Sequence, residues 1–233
     1  MGTYLYANQY QNEIIPDGLQ SFKREWFKYA KTLPDKLHTF AFIDPALSET
    51  DGADYTGCVV VSVDDDRNWY VRSANRYRIN PTEIIELMFR LQKEYKPQII
   101  GIEEVSFQKA LLYMVDTEMR RRSTIIPVTG IKASTDKTKE KRIKALVPYF
   151  EWGRVYFCGQ MYDLEMELTQ FPRSSHDDLA DALAYLEYII YYPQKEIVRP
   201  KDLPVTHKDY ERRYIESKTK SRHRRNPDSG AEF

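Results

Sequence analysis

The sequence has no apolar run long enough to cross a bilayer and only two cysteines, Cys58 and Cys158. A membrane span needs about 18 consecutive apolar residues, so no transmembrane helix is predicted. The chain does not open on a charged start followed by an apolar stretch, and a secretory leader is therefore not expected. Two widely spaced cysteines in such a chain predict free, buried thiols in a reducing compartment and exclude a disulfide framework or a zinc knuckle.

Charge of either sign is not in excess, because 35 Lys and Arg residues balance 35 Asp and Glu residues. With 42% hydrophobic and 30% charged residues, the 233-residue chain is expected to fold around a buried core. A zero net charge does not exclude nucleic-acid binding, which depends on where the charges lie. Also missing is a Gly-x-x-x-x-Gly-Lys-Ser/Thr loop, so a phosphate loop for ATP is excluded.

The residue pattern divides the chain into three regions. Residues 1–37 are predicted to be a lead-in or linker segment that contains a short amphipathic helix at residues 22–30. Residues 38–192 carry the strand and helix patterns of a folded domain. Residues 193–233 are polar, interrupted by proline and increasingly basic, which is typical of a peripheral or disordered tail.

The central region predicts a mixed sheet. Three β-prone segments at residues 38–43, 57–63 and 69–77 are expected to form an antiparallel meander, because a short polar turn joins the last two. Further strands are predicted at residues 98–102, 123–128 and 154–158, and helices at residues 80–95, 108–122, 137–150, 163–171 and 176–192. Alternating strands and helices imply parallel crossovers. The predicted fold class is therefore α/β, a three-strand antiparallel meander plus parallel strands, flanked by helices.

Acidic residues stand where the strands end. Asp44 closes the first predicted strand, and Glu103 or Glu104 closes the fourth. Carboxylates that meet at one sheet edge would repel one another, and a divalent cation would remove that repulsion. Because no histidine or cysteine cluster accompanies them, oxygen ligands for a hard ion such as Mg²⁺ or Mn²⁺ are indicated.

More acids open the last predicted helix, where Asp177 and Asp178 are followed one turn later by Asp181. At about 100° per residue, Asp178 lies at the edge of the apolar stripe and Asp181 lies further round. The pattern therefore ranks Asp178 first as the residue that faces the sheet. Each acid alone also fits an ordinary turn or helix cap, and spacing by itself leaves the two interpretations open.

Four stretches, taken together in their order and spacing, resemble the nuclease domain of the large terminase subunit of tailed bacteriophages, a family with an RNase H-like (RuvC-like) fold. They are Phe42-Ile43-Asp44-Pro45-Ala46 with Asp54-Tyr55-Thr56-Gly57, Ile99 to Glu104, the stretch from Asp136 to Val155 that begins with a basic helix, and His176 to Tyr185. The resemblance covers about residues 5–190. It implies a metal-dependent DNA endonuclease that cuts phage genome concatemers during packaging. The family's ATPase motor is absent, so an isolated nuclease half is expected.

The resemblance also implies roles for the acids. Asp44, Glu103 and Asp178 match the metal ligands of a two-ion site for Mg²⁺ or Mn²⁺, with Asp177 as a further catalytic residue. Glu103 matches better than Glu104, and Asp181 is the weaker match. His176 is interpreted as a cap or turn residue in preference to a proton shuttle.

Partners and location follow from the same resemblance. They are double-stranded DNA, the small terminase subunit and the portal protein, without a membrane, in the host cytoplasm and transiently at the procapsid portal. A local excess of positive charge at residues 132–144 predicts contacts with the DNA backbone, and the DNA-binding candidates are Lys137, Lys139, Lys141 and Arg142. A solvated helix face is the alternative for this stretch.

Two other functions remain open from the sequence. One is a junction resolvase or RNase H-type nuclease that acts on branched DNA or hybrids. The other is a catalytically silent module that binds DNA or a portal. The full set of acids argues against the silent module, because a pure binding domain gains nothing by placing carboxylates near phosphates.

Overall fold

The computed structural model describes residues 21–45, 55–103, 108–132 and 138–192. Its strands are β1 (Lys28–Tyr29), β2 (His38–Asp44), β3 (Thr56–Val63), β4 (Trp69–Tyr77), β5 (Ile99–Glu103), β6 (Val128–Ile131) and β7 (Val155–Phe157). Its α-helices are α1 (Pro81–Tyr95), α2 (Gln108–Arg122), α3 (Lys139–Lys144), α4 (Val147–Glu151), α5 (Tyr162–Gln170) and α6 (Asp178–Tyr185). Short 3-10 turns cover Arg24–Trp26 and Leu186–Tyr188. None of the helices in these ranges combines the length and hydropathy that a bilayer span requires.

The strands of the described residues form one sheet in the order β1-β7-β4-β3-β2-β5-β6. Strands β2, β3 and β4 are the predicted antiparallel meander. Strand β5 pairs in parallel with β2, and β6 in parallel with β5. Strands β7 and β1 extend the other side, also in parallel. The expected mixed α/β sheet is confirmed.

Helices cover both faces of this sheet. On β2, Phe40 and Phe42 point into the core that contains α6, whereas Ala41 and Ile43 point into a second core beneath α1 and α2. This alternation is the strand period of two. Burial on both faces explains why the sequence of β3 is a nearly unbroken apolar run.

Local signals place α1 as predicted. Asn80 accepts a hydrogen bond from the Glu83 amide, and the Glu83 side chain accepts one from the Asn80 amide, which forms a capping box. Lys96 ends the helix in the left-handed conformation. A cap at each end is why the boundaries of this helix could be predicted from the chain itself.

Residues 22–30 do not form the predicted helix. They form a 3-10 turn and strand β1, and Phe22 and Phe27 are both buried in the α6-side core. Five residues correspond to about 140° around a helix, so one helix could not direct both rings into the same core. An extended segment can. The three regions expected from the sequence remain predictions, and residues 1–20 and 193–233 lie outside the described ranges.

Three further boundaries differ from the prediction. Strand β6 begins at Val128, where its pairing with β5 begins, and not at residue 123. The helix expected at residues 137–150 is divided into α3 and α4, because Pro148 has no amide hydrogen and its ring would collide with a continuous helix. The helix expected at residues 176–192 is α6 followed by the 3-10 turn Leu186–Tyr188.

Candidate active site

Asp44 and Glu103 lie side by side at the carboxyl ends of two parallel strands. The register pairs Ile43 of β2 with Ile102 of β5, so the next residue on each strand is the acid. Asp44 is two residues after Phe42 and therefore faces the same side of the sheet, the side covered by α6. The two acids therefore lie at one edge of the sheet.

Helix α6 brings the other acids to this edge. Asp44 pairs with Gly57 on β3, and Gly57 lies against the backbone of Asp178. The missing side chain at Gly57 lets the first turn of α6 approach the sheet closely. Asp177 is the N-cap residue of α6 and makes no side-chain cap.

The surroundings of Asp44 disfavour its charged form. Burial raises its pKa to about 7, and the carboxylates of Asp181, Glu103 and Asp178 act in the same direction. The ammonium group of Lys139 opposes them only in part. Four acids therefore interact electrostatically at one point, which is the environment that a cation stabilises.

Lys139 lies among three of the acids. Its Nζ is 2.7 Å from Asp177 Oδ1, 3.8 Å from Asp178 Oδ1 and 3.9 Å from Asp181 Oδ2. Burial disfavours its charged form, but the hydrogen bond to Asp177 and the neighbouring negative charges raise its pKa. The sequence predicted Lys139 as a DNA contact. The structure places the Lys139 ammonium group among the carboxylates of Asp177, Asp178 and Asp181.

Arg142 and Asp181 form a buried, two-pronged ion pair. Arg142 donates from Nε to Asp181 Oδ1 at 2.7 Å and from Nη2 to Oδ2 at 2.8 Å. The two side chains are 6% and 5% exposed. The prediction that Arg142 contacts the DNA backbone is therefore not supported, because its guanidinium group is used inside the protein. Burial raises the pKa of Asp181, although the Arg142 pair opposes this.

The burial of Asp181 also corrects the predicted order of the helix acids. Asp181 is 4% exposed, whereas the side chain of Asp178 is 20% exposed. The prediction assumed that α6 has one buried stripe. In the structure every residue from Leu179 to Tyr185 is buried, so helical angle could not separate an inner face from an outer one.

Tyr185 also lies in this site, although it was not among the residues predicted from the sequence. Its hydroxyl donates a hydrogen bond to Glu103 Oε1. Its ring stacks on Phe42 at 4.5 Å, and the Arg142 guanidinium group lies 4.0 Å from its centroid. Tyr185 comes one helical turn after Asp181, and this i,i+4 spacing is the signal that could have revealed it.

Glu167 on α5 is a second missed residue. It is 1% exposed, and burial raises its pKa to about 7. It accepts a hydrogen bond from the Ala180 amide at 2.8 Å, and Arg76 Nη2 lies 2.9 Å from its Oε1. An acid beside the buried Leu168 on an apolar helix face is the signal in the sequence.

The remaining candidates lie at the margin of the site. Lys141 is exposed on α3, as a DNA contact would require. His176 is exposed, and its ring meets the edge of Tyr55 at 5.8 Å. Glu104 and Lys137 lie outside the described residues, so their predicted roles stay predictions.

The donor chemistry of the site fits a hard divalent cation. Asp44, Glu103 and Asp178 offer carboxylate oxygens, and the raised pKa of Asp44 reflects its burial together with neighbouring negative charge that a cation would neutralise. As the side chains lie, the described part of the chain contains no group of three acidic, histidine or cysteine residues arranged to hold a metal ion. Lys139 and Arg142 supply the positive charge in this arrangement.

The chain matches one family model and is similar to several solved structures. The family model described as the terminase RNaseH-like domain matches residues 41–187. The nuclease domain of the large terminase subunit of bacterial virus Sf6 is 14% identical, with a TM-score of 0.49 over 72% of this chain and 97% of that one. Structures of the Sf6 domain also exist with manganese and with calcium.

Two further solved structures are similar. The large terminase nuclease domain of Thermus phage P74-26 is 16% identical, with a TM-score of 0.44 over 68% of this chain and 86% of that one. The yeast mitochondrial Holliday junction resolvase Ydc2 is 13% identical, with a TM-score of 0.43 over 62% and 75%. No curated protein matches the chain.

Proposed function

Because the chain belongs to the family of terminase RNase H-like domains, we propose that it is a metal-dependent DNA endonuclease. Its active site is the sheet edge where Asp44 and Glu103 meet the start of α6.

One observation carries the proposal: Asp44 is half-buried near Glu103, Asp178 and Asp181, and its burial, together with their negative charges, raises its pKa to about 7. Ionising such a group is costly unless a cation is close. Acidic side chains that are kept close together at the ends of the central strands despite this cost are expected to bind a cation. Acidic side chains with raised pKa values of this kind are common at functional sites.

Asp44, Glu103 and Asp178 would hold Mg²⁺ or Mn²⁺, with two ions as the expected number. Such ions lower the pKa of a bound water and stabilise the charge that develops on the phosphate and on the leaving 3′ oxygen. The chain's own residues prepare the site for this chemistry. Tyr185 orients the Glu103 carboxylate through its hydroxyl, and Arg142 fixes Asp181 with two hydrogen bonds.

Asp177 has a separate part in this scheme. Its carboxylate is turned toward Lys139 and does not cap α6. We propose that it is an outer ligand or orients water beside the ions. His176, exposed at the rim, is proposed as a turn residue.

The substrate and the biological setting rest on the family relationship. The proposed substrate is double-stranded phage DNA, cut from concatemers during packaging. The proposed partners are the small terminase subunit and the portal protein, and the proposed location is the host cytoplasm. The exposed Lys141 supports the DNA contact, because a free surface cation can track a phosphate backbone.

Plasmid digestion tests the activity. The protein is incubated with supercoiled DNA in Mn²⁺, Mg²⁺, Ca²⁺ or chelator, beside Asp44→Asn and the matched control Asp163→Asn. Asp163 is an exposed acid on α5. Wild type and control are expected to cut in Mn²⁺ or Mg²⁺ and not in chelator, whereas Asp44→Asn is expected to be inactive while its circular dichroism spectrum stays native.

Two results would contradict the proposal. Cleavage by Asp44→Asn at the wild-type rate would contradict the proposed active site. Cleavage in chelator would contradict the proposed metal dependence. Branched DNA and RNA–DNA hybrids serve as further substrates. A strong preference for either over linear duplex would favour a resolvase or RNase H-type activity.

A further inference from the structure

Helix α6 carries Asp178 and Asp181, yet its own N-cap residue does not cap it. Asp177 makes no side-chain hydrogen bond to the first turn, because its carboxylate lies 2.7 Å from Lys139 Nζ. The first amides of a helix have no partner within the helix, and a buried amide without a partner is costly. Some other group must therefore satisfy them.

Glu167 supplies that group from a different helix. Its Oε2 accepts a hydrogen bond from the Ala180 amide at 2.8 Å, with both atoms buried. Ala180 is the third residue of α6. The amide at this position ordinarily donates a hydrogen bond to the side chain of the N-cap residue. A negative charge there also complements the positive end of the helix dipole.

Arg76 on β4 holds Glu167 in place. Arg76 Nη2 lies 2.9 Å from Glu167 Oε1, an ion pair whose alignment falls short of a hydrogen bond. The two side chains are 13% and 1% exposed. Arg76 is paired with Gly57, and Gly57 is paired with Asp44. The sheet row that contains Asp44 thus also anchors the cap of α6.

We infer that Glu167 is a positioning residue that caps α6 from α5, and that it thereby holds Asp178 at the sheet edge without using the Asp177 carboxylate as a cap. The inference rests on the proposed function, because the position of Asp178 matters for activity only if Asp178 binds the metal. Glu167 acts through the α6 backbone and does not itself touch the ion or the DNA.

Two variants of equal size isolate the cap. Glu167→Gln keeps an oxygen that can accept from the Ala180 amide, whereas Glu167→Met fills the same space without an acceptor. Both remove the charge that faces Arg76, and Gln alone retains an acceptor for the Ala180 amide. Leu168→Ala, at the fully buried neighbour on α5, is the control for lost stability without a lost cap.

The first measurement is Mn²⁺ binding, followed by the loss of the free-ion electron paramagnetic resonance signal below the unfolding temperature. Glu167→Met is expected to bind Mn²⁺ about fivefold more weakly than Glu167→Gln, the scale of a lost helix cap. Leu168→Ala is expected to retain wild-type affinity despite a lower Tm. Equal affinities for the Met and Gln variants would overturn the inference.

The second measurement needs no metal. Amide hydrogen exchange at residues 179 and 180 is expected to accelerate about fivefold or more in Glu167→Met and to stay near wild type in Glu167→Gln. Equal protection in both variants would also overturn the inference. If wild type binds no Mn²⁺ but the exchange difference is present, the proposed metal fails while the cap stands, so the two failures are distinguishable.

Discussion

A Cβ atom added to Gly57 would lie 3.0 Å from the carbonyl oxygen of Asp178. The glycine backbone is not left-handed, so conformation does not require glycine at this position. Space does, because the start of α6 lies directly on β3. The approach of the acidic helix to the acidic sheet edge therefore depends on one missing methyl group.

Gly57→Ala is expected to displace the first turn of α6 by a few tenths of an ångström. Overpacking of this kind costs about 1–3 kcal/mol of stability. A misplaced catalytic group can cost much more in rate, and Mn²⁺-dependent plasmid cleavage is expected to fall about tenfold to a hundredfold. Gly159→Ala is the matched control, because nothing lies within 4 Å of its added Cβ. Unchanged cleavage by Gly57→Ala would show that α6 need not lie so close.

The raised pKa of Asp44 predicts an unusual dependence of stability on pH. A carboxyl group whose pKa rises from 3.8 to about 7 on folding stabilises the native state below pH 3.8 and loses that contribution as pH rises through 7. In chelator, wild type is therefore expected to lose Tm relative to Asp44→Asn between pH 4 and pH 8. Thermal unfolding curves at one-unit intervals provide the measurement, and parallel profiles for the two proteins would contradict it.

The Arg142–Asp181 pair is expected to be essential for stability. Removing one partner of a buried ion pair leaves an uncompensated charge and costs about 3–5 kcal/mol. Arg142→Met should therefore lower the urea midpoint strongly, whereas Lys141→Met, at the exposed neighbour on α3, should change stability by no more than about 0.5 kcal/mol. A mild effect at Arg142 would mean that the guanidinium group is not buried against Asp181 in solution.

Lys139 is expected to compete with divalent cations. Its ammonium group lies within 4 Å of Asp177, Asp178 and Asp181. A unit charge at about 4 Å is worth about 1 kcal/mol in water, so Lys139→Met should bind Mn²⁺ about fivefold more tightly. Isothermal titration calorimetry provides the affinity, with Lys144→Met on the same helix as the control. Weaker binding by Lys139→Met would instead show that Lys139 helps to assemble the carboxylates.

Much of this fold could be predicted from local patterns. The meander of β2, β3 and β4 follows from apolar strands around a short turn, and α1 follows from its capping box. Asp44 and Glu103 could be placed at one sheet edge, because strand ends and parallel crossovers determine which termini meet. These predictions succeeded because each depends on neighbouring residues or on the strand period.

The errors share a different cause. The outer strand β1 and the start of β6 are defined by pairing with distant strands, and no local pattern reports such pairing. The exposure of the helix acids was misjudged because α6 is enclosed on all sides. Arg142 was assigned to the surface because its charge alone does not show that a buried carboxylate, that of Asp181, pairs with it.

The sequence by itself determined the fold class and the residues that close the central strands, since hydrophobic periodicity and strand ends are properties of the chain. Only the tertiary structure decided how the charges are shared. Lys139 and Arg142 were found among the acids, Tyr185 on Glu103, and Glu167 on the first turn of α6. Each of these contacts joins residues far apart in the chain, and their energies depend on distance and burial, which exist only after folding.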